Sequence, residues 1–213
     1  SSKEARTHVD KLFSLRVRLD SIEPGELSAT ERATLDALRE TLDGRLDAAN
    51  ACSPWTWQVD PLDGPAIHLL QLPVYQTIQT KDDAAALAAR YKASTPFFDG
   101  HIKALRAGLE KGAVAPAPVV KRMIASLDGA LAVPAADSPM AKAKLPDSGP
   151  GWHMEEVVRV RKTLVKAVEE GAYPALTVYR DFLKSEVLPK ARDQKPGAAG
   201  LPGVATCYHA MIK

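Results

Sequence analysis

The sequence predicts an all-α fold, built as a multi-helix array of antiparallel helix pairs. Apolar residues recur at three- and four-residue steps through most of the 213-residue chain, which is the spacing of one helix face. No convincing run shows the alternation of apolar and polar residues that marks a half-buried strand. Capping residues and prolines stand where the periodic stretches begin and end.

The first two helices are predicted to form an antiparallel pair joined by a turn at Pro24-Gly25. The apolar stripe of the first helix is Val9, Leu12, Phe13, Arg16, Leu19 and Ile22. Ser28 and Glu31 have the spacing of a capping box at the start of the second helix. The buried face of that helix is predicted to be Leu35, Leu38, Leu42 and Leu46.

The helical periodicity stops between Ala51 and Pro73, in a segment rich in proline that contains Trp55 and Trp57. One interpretation is that the two indoles plug the end of a helical stack, because tryptophan is usually well buried. The other is that they form a wall facing a substrate.

Three further helices complete a predicted N-terminal helical region, residues 1–132. The first begins at Thr80 and has Asp82 and Asp83 in its first turn, where carboxylates favour the helix dipole. The second follows Pro96 and ends near Gly112, which is well placed as a C-terminal cap. The third begins at Pro116 or Pro118, and its apolar face is Val119, Val120, Met123, Ile124, Leu127 and Leu131.

Residues 133–151 contain four prolines and two glycines, which predicts a Pro/Gly-rich linker loop. Residues 152–213 are predicted to be a helical pair followed by the start of a truncated helix. The first helix of the pair ends at Gly171, and the second runs from Pro174 to Pro189. Because the stretch from Val204 onward lacks the stop signals of the earlier helices, we expect that the chain has been cut, or that its ordered part ends, inside a helix of something larger.

Composition and cysteine usage exclude several classes of protein. Apolar residues make up 46% and charged residues 25%, with a net charge of +2, which excludes a disordered chain and gives no support for a nucleic-acid partner. The apolar stretches fall far short of the roughly 20 residues of a membrane span. Cys52 and Cys207 are too few for a disulfide scaffold; a bridge between them would favour an oxidising compartment.

The sequence predicts no catalytic residue and no metal ligand in this chain. None of its five histidines has the spacing of a helical H-E-x-x-H zinc site, and there is no G-x-S-x-G elbow or Gly-rich phosphate loop. His101 is most simply a histidine at the edge of a helix face. The basic side formed by Arg159, Arg161, Lys162 and Lys166 is typical of a solvated face with ion pairs to nearby glutamates.

Six short motifs stand in a characteristic order along the chain. They are Leu27-Ser28, Asp60 with Gly64, the helix end from Ile102 to Gly112 followed by Pro118-Val119-Val120, Ser138-Pro139, the run from Tyr173-Pro174 through Phe182-Leu183 to Ala191-Arg192, and Leu201-Pro202-Gly203 with Tyr208. Together they resemble the N-terminal half of the bacterial "domain of unknown function 885" family, which is similar to zinc peptidases of the gluzincin kind. The sequence departs from the family pattern at Ala175-Leu176, where an aromatic residue is usual, and at Pro202-Gly203, which lacks an acidic residue.

The resemblance implies that this chain is half of a larger helical peptidase-like fold. The family's zinc-binding H-E-x-x-x-G-H-like helix lies downstream of anything present here, so zinc is implied only for that missing catalytic half. There the metal would polarise a peptide carbonyl and activate water, while a glutamate handles the proton. The implied partners are the catalytic half and a peptide substrate. If residues of this chain contact the substrate, the candidates are Trp55, Trp57 and Tyr208.

Three hypotheses about function follow. The leading one is a non-catalytic N-terminal helical region that walls the substrate cleft of a zinc-metallopeptidase-like hydrolase. The second is a stand-alone helical module that binds peptides or proteins without enzymatic activity. The third is a structural domain of an exported lipoprotein, which fits the start at Ser1 only if a signal peptide has been removed. The first hypothesis predicts a large exposed apolar face, and the second does not.

Overall fold

The computed structural model describes residues 2–146, 152–193 and 200–212, and confirms the predicted all-α fold. No strand occurs among these residues; a single bridge joins Pro116 to Arg192. The α-helices are α1 (Ser2–Asp20), α2 (Ala29–Ala51), α3 (Pro65–Leu70), α4 (Leu72–Tyr75), α5 (Lys81–Lys92), α6 (Ser94–Glu110), α7 (Ala117–Leu131), α8 (Met154–Ala167), α9 (Tyr173–Phe182) and α10 (Val204–Met211). They fall into two compact units, Ser1–Pro54 with Gly197–Lys213, and Trp55–Pro196.

The first unit contains α1, α2 and α10. The helices α1 and α2 run antiparallel, as predicted: Arg16 Nε lies 2.6 Å from Asp43 Oδ1, and Arg39 Nη2 donates to the Leu19 carbonyl (3.2 Å). Ser28 Oγ accepts from the Glu31 N–H, and the Glu31 carboxylate accepts from the Ser28 N–H, which confirms the capping box. The helix α10 packs on α2.

Fewer apolar side chains of this unit are buried than the apolar stripes predict. Leu12 and Leu35 are buried, whereas Phe13, Ile22 and Leu38, which were expected to face a core, are exposed. Part of each predicted apolar stripe therefore lies at the surface of α1 and α2.

The second unit is built around one long helix, which runs from Met154 to Lys190 through α8 and α9. The helix α7 runs antiparallel to it, since Asp128 is bonded by Lys184 (2.9 Å) and the Val133 carbonyl by Tyr173 Oη (2.7 Å). The helices α5 and α6, separated only by Ala93, run parallel to the long helix.

Three contacts spaced along α5 and α6 show that both helices run parallel to the long helix. Lys81 pairs with Glu156 near the start of both helices, the Phe98 ring lies 5.2 Å from the Tyr179 ring, and Arg106 Nη2 pairs with Glu186 at 2.6 Å. The predicted antiparallel pairing holds for α1 with α2 and for α7 with the long helix, whereas α5 and α6 pack differently. Here the partners are about 80 residues apart, and α7 returns the chain to the end at which the long helix begins.

The predicted break between Gly171 and Pro174 is wrong, because the helical backbone continues through these residues. Val168–Ala172 and Leu183–Val187 form π-helical turns, and each stands just before a proline, Pro174 or Pro189. A proline within an α-helix lacks an N–H and clashes with the carbonyl four residues earlier. The wider π turn makes room for the ring, so the helix passes Pro174 without a break; at Pro189 it tightens into a 3₁₀ turn and ends at Lys190, as predicted.

Gly171 is a packing residue rather than a helix stop. A Cβ placed on it would lie 2.4 Å from the Tyr91 carbonyl oxygen and 2.8 Å from Lys92 Cα. The absence of a side chain therefore lets the backbone of α5 approach the π turn directly.

The part of the predicted linker loop that is described, residues 133–146, belongs to the core of the second unit. Met140, Ala141 and Leu145 are buried in it, and the buried Tyr91 Oη donates to the Met140 carbonyl (3.1 Å). Arg161 Nη1 donates to the Ala141 and Ala143 carbonyls (2.5 and 3.0 Å). The two units therefore divide the chain differently from the predicted boundary at 133–151, because small and apolar residues of this segment pack between helices; residues 147–151 lie outside the described part.

Candidate functional site

The most unusual surface of the second unit lies on residues 55–79, which connect the first tryptophan to the start of α5. The sequence predicts a loop here, and the structure places two short helices in it, α3 and α4, each with a proline in its first turn. The inner side of this segment is buried through Val59, Ile67 and Ile78.

The outer side of the 55–79 segment exposes large apolar side chains. Trp55 is 45% exposed and Trp57 is half-buried. Leu62, Val74 and Tyr75 are 77%, 78% and 67% exposed. The sequence interpretation found Trp55 and Trp57 but missed these three, because they belong to no periodic stripe.

A turn at Asp60 fixes the first half of the segment. Its Oδ1 accepts from the N–H groups of Leu62 (2.8 Å) and Asp63 (3.1 Å), and these bonds lower the pKa of the Asp60 carboxyl. A Cβ on Gly64 would lie 2.3 Å from the Asp60 carbonyl oxygen, so only glycine fits there. The turn also presents Asp63 to His68, whose Nε2 lies 2.6 Å from Asp63 Oδ1; both side chains are exposed.

Gly108 on α6 holds the start of the segment. A Cβ on Gly108 would lie only 1.8 Å from the Thr56 carbonyl oxygen, so the helix and the segment touch backbone to backbone. Beyond this contact α6 ends in a Schellman motif: the Ala113 N–H donates to the Gly108 carbonyl (2.9 Å), and Gly112 has a φ of 69°. The predicted cap at Gly112 is confirmed.

Hydrogen bonds to α5 and Trp152 hold the end of the segment. Trp152 Nε1 donates to the Gln79 carbonyl (2.9 Å), and Gln76 Nε2 donates to the Asp83 carbonyl (2.9 Å). Arg90 in turn donates to Gln76 Oε1 (2.8 Å). The segment is therefore an irregular but fixed scaffold that presents apolar side chains to solvent, an arrangement typical of binding surfaces.

Tyr208, the third predicted contact residue, lies on α10 in the first unit and is 61% exposed. Its ring stands 6.3 Å from the ring of His209. Trp55 and Trp57 thus share one scaffold in the second unit, and Tyr208 belongs to the other unit.

His101 is more deeply placed than the edge position predicted for it. Its ring packs 5.4 Å from the ring of Tyr179, and its Nε2 atom is buried without a hydrogen-bond partner. Burial lowers the pKa of the imidazole, because the charged form would lose its hydration.

We expect acidification to destabilise the protein through His101. In the unfolded chain this histidine takes up a proton near pH 6.5, and in the folded protein only at a lower pH. Its contribution is therefore fully present above about pH 6.5 and falls as the pH drops towards the folded pKa. Urea titrations between pH 7.5 and about 5 should show a shallower loss of stability in His101→Gln than in the wild type. An unchanged slope in His101→Gln would contradict the assignment.

The basic face of α8 is partly paired, as expected. Arg159 lies 3.6 Å from Glu156 and Lys166 3.8 Å from Glu170, while Arg161 instead binds the carbonyls of the 133–146 segment. Within residues 2–146, 152–193 and 200–212, no group of three or more His, Cys, Asp or Glu side chains is placed to hold a metal ion. None of the described helices has the length and apolar character needed to cross a bilayer.

A protein-family model matches the whole length of the chain. The model of the family described as "Bacterial protein of unknown function (DUF885)" matches residues 1–213. The chain belongs to the DUF885 family. No curated protein matches it.

Two of the DUF885 motifs quoted from the sequence coincide with the close backbone contacts of the 55–79 segment. Gly64 lies against the Asp60 carbonyl, and Gly108 in the α6 motif lies against the Thr56 carbonyl. These motif residues therefore shape the scaffold that carries the exposed apolar side chains.

Proposed function

We propose that this chain is the non-catalytic N-terminal helical region of a zinc-metallopeptidase-like hydrolase, and that the 55–79 segment walls part of the cleft in which a peptide substrate binds. The observation that supports this proposal is the display of Trp55, Leu62, Val74 and Tyr75 on an irregular scaffold whose backbone is fixed at both ends.

Physical chemistry favours a binding role for these side chains. A single exposed apolar residue is ordinary, because more than half of a folded protein's surface is apolar. Several large ones on one short, anchored segment are different, since each would gain roughly 1.5–3 kcal/mol on full burial. A peptide with large apolar side chains could cover them, and the cleft wall would also exclude water from the bound substrate.

The described residues do not themselves fit a zinc ion, because they offer no group of three or more potential ligands. The proposal therefore assigns zinc to a catalytic half outside these residues, and assigns no step of hydrolysis to this chain. The role proposed here is substrate contact and shape.

The first unit supports the same proposal from a second direction. Phe13 and Val17, which stand about one turn apart on α1, are exposed, and so are Met211 and Ile212 at the end of α10. A region that packs against a catalytic half would expose apolar side chains of this kind, whereas a finished module would bury more of them.

The alternative is a stand-alone helical module that binds peptides or proteins without enzymatic activity. The 55–79 segment is compatible with it, since a fixed apolar surface binds ligands whether or not hydrolysis follows. The two functions differ in whether the product of the native gene cleaves what it binds.

The test uses the product of the native gene and oxidised insulin B chain as the peptide probe, with cleavage followed by mass spectrometry. The double variant Trp55→Ala/Tyr75→Ala should lower kcat/KM about tenfold or more, mainly through a higher KM, because two large apolar contacts are removed. Val178→Ala, which removes an exposed apolar residue from α9, is the matched control and should leave kcat/KM unchanged. An unchanged KM in the double variant would contradict the assignment of the 55–79 segment.

A further inference from the structure

The first unit contains a disulfide bond that joins α10 to the end of α2. Cys52 is the residue that follows the last turn of α2, Cys207 lies within α10, and 155 positions separate them in sequence. The chain has two cysteines, so the second unit contains none. Any change in the redox state of the protein's thiols therefore acts on the first unit.

Apart from the disulfide, α10 is weakly held. It has eight residues, whereas isolated helices shorter than about 12–15 residues are marginal in water. Ala210 is its buried side chain, while Tyr208 and Met211 are exposed. The helix is thus too short to persist alone and buries little apolar surface.

The contact between α10 and α2 is also incomplete. A solvent-open groove of about 450 Å³ separates part of α2, at Ala37, Gly44 and Ala48, from the end of α10 at Ala210 and Met211. Where the groove is open, the two helices make no direct dispersion contacts. The covalent bond is therefore the strongest constraint on the position of α10.

We infer that the Cys52–Cys207 disulfide is a redox latch: when a dithiol reductant opens it, α10 detaches from α2 while the second unit keeps its fold. The inference concerns the first unit and does not rest on the proposed peptidase-related function. It complements the sequence expectation that a bridge between these cysteines favours an oxidising compartment, where the latch would stay closed.

One molecule of a dithiol is enough to reduce the Cys52–Cys207 disulfide. A thiolate of the reductant attacks Sγ of Cys207, the less buried of the two residues, and forms a mixed disulfide while Cys52 leaves as a thiolate that takes up a proton. The second thiol of the reductant then closes on the first and releases Cys207 as a thiol. The protein gains two electrons and two protons, and the reductant is oxidised to its own disulfide.

Amide hydrogen exchange with dithiothreitol as the probe tests the latch on the full 213-residue chain. On reduction, amides of 207–211 should exchange at least tenfold faster, and those of α7 should keep their rates. The double variant Cys52→Ser/Cys207→Ser should show the fast exchange of α10 without reductant and no response to it. A protein without the bond would incorporate iodoacetamide at both cysteines before reduction.

Three results would overturn the inference. They are alkylation of both thiols in the untreated protein, unchanged exchange of α10 after reduction, and faster exchange of α7 to the same degree as α10. The first would show that the bond does not form, the second that apolar contacts alone hold α10, and the third that reduction unfolds the whole protein rather than opening a latch.

Discussion

Gly108→Ala is expected to lower the free energy of unfolding of the second unit by about 3 kcal/mol, at the upper end of the range for overpacking. A Cβ at this position would lie 1.8 Å from the carbonyl oxygen and 2.7 Å from the carbonyl carbon of Thr56. Both are backbone atoms, so no rotamer change relieves the clash. Either α6 or the start of the 55–79 segment must move.

Gly100 is the matched control for this substitution because it lies on the same helix. Nothing stands within 4 Å of a Cβ placed there, so Gly100→Ala should stabilise the protein by up to about 1 kcal/mol through helix propensity. Urea unfolding followed by tryptophan fluorescence reports on the second unit, which holds all three tryptophans. Wild-type stability in Gly108→Ala would contradict the close contact.

Met140→Ala is expected to cost the second unit about 3 kcal/mol, as large-to-small changes in a packed core do. Met140 is 1% exposed and belongs to the same core as Leu176 and Phe182. Its truncation leaves a cavity in a segment that is also held to the core by the hydrogen bond from Tyr91 Oη to the Met140 carbonyl. The expected loss is the signature of a core segment and would be absent from a linker.

Lys144→Ala is the control within the same segment. Its side chain is exposed, so its substitution should change stability by no more than about 0.5 kcal/mol. The same urea titration measures both variants. Equal stabilities for Met140→Ala and the wild type would restore the predicted linker loop and contradict the packing of residues 133–146.

Helix starts and ends were predicted correctly where they depend on residues that are close together in the sequence. The capping box at Ser28, the helix start at Thr80 and the cap at Gly112 depend on residues within a few positions of each other, and the structure confirms all three. Proline and glycine misled the interpretation at Gly171 and Pro174. There the π turn and the approach of the α5 backbone depend on residues far apart in sequence, which no local rule contains.

The candidate site was only partly predictable for a related reason. Trp55 and Trp57 stood out because large aromatic residues in a proline-rich loop are unusual. Val74 and Tyr75 did not, because they belong to no periodic stripe from which their exposure could be predicted. Their exposure results from α4, a four-residue helix that turns them outward while Ile78 packs inward. A count of large apolar residues in the non-periodic segment is the sequence signal that could have found Leu62, Val74 and Tyr75.

The sequence also could not predict that α5 and α6 run parallel to the long helix. Amphipathic spacing identifies which face of a helix is buried but not which partner covers it. The contact of Phe98 with Tyr179 and the pairing of Arg106 with Glu186 reveal the parallel arrangement only once the chain has folded.

The most direct test of the proposed function is hydrolysis of oxidised insulin B chain by the product of the native gene, before metal removal, after it, and after zinc is restored. If the proposed function is right, the peptide is cleaved, cleavage is lost on chelation and returns with zinc, and the polypeptide has an intact mass above 22.9 kDa. Binding of the peptide without cleavage in any of the three states, by a polypeptide of 22.9 kDa, would contradict the account and establish the stand-alone binding module instead.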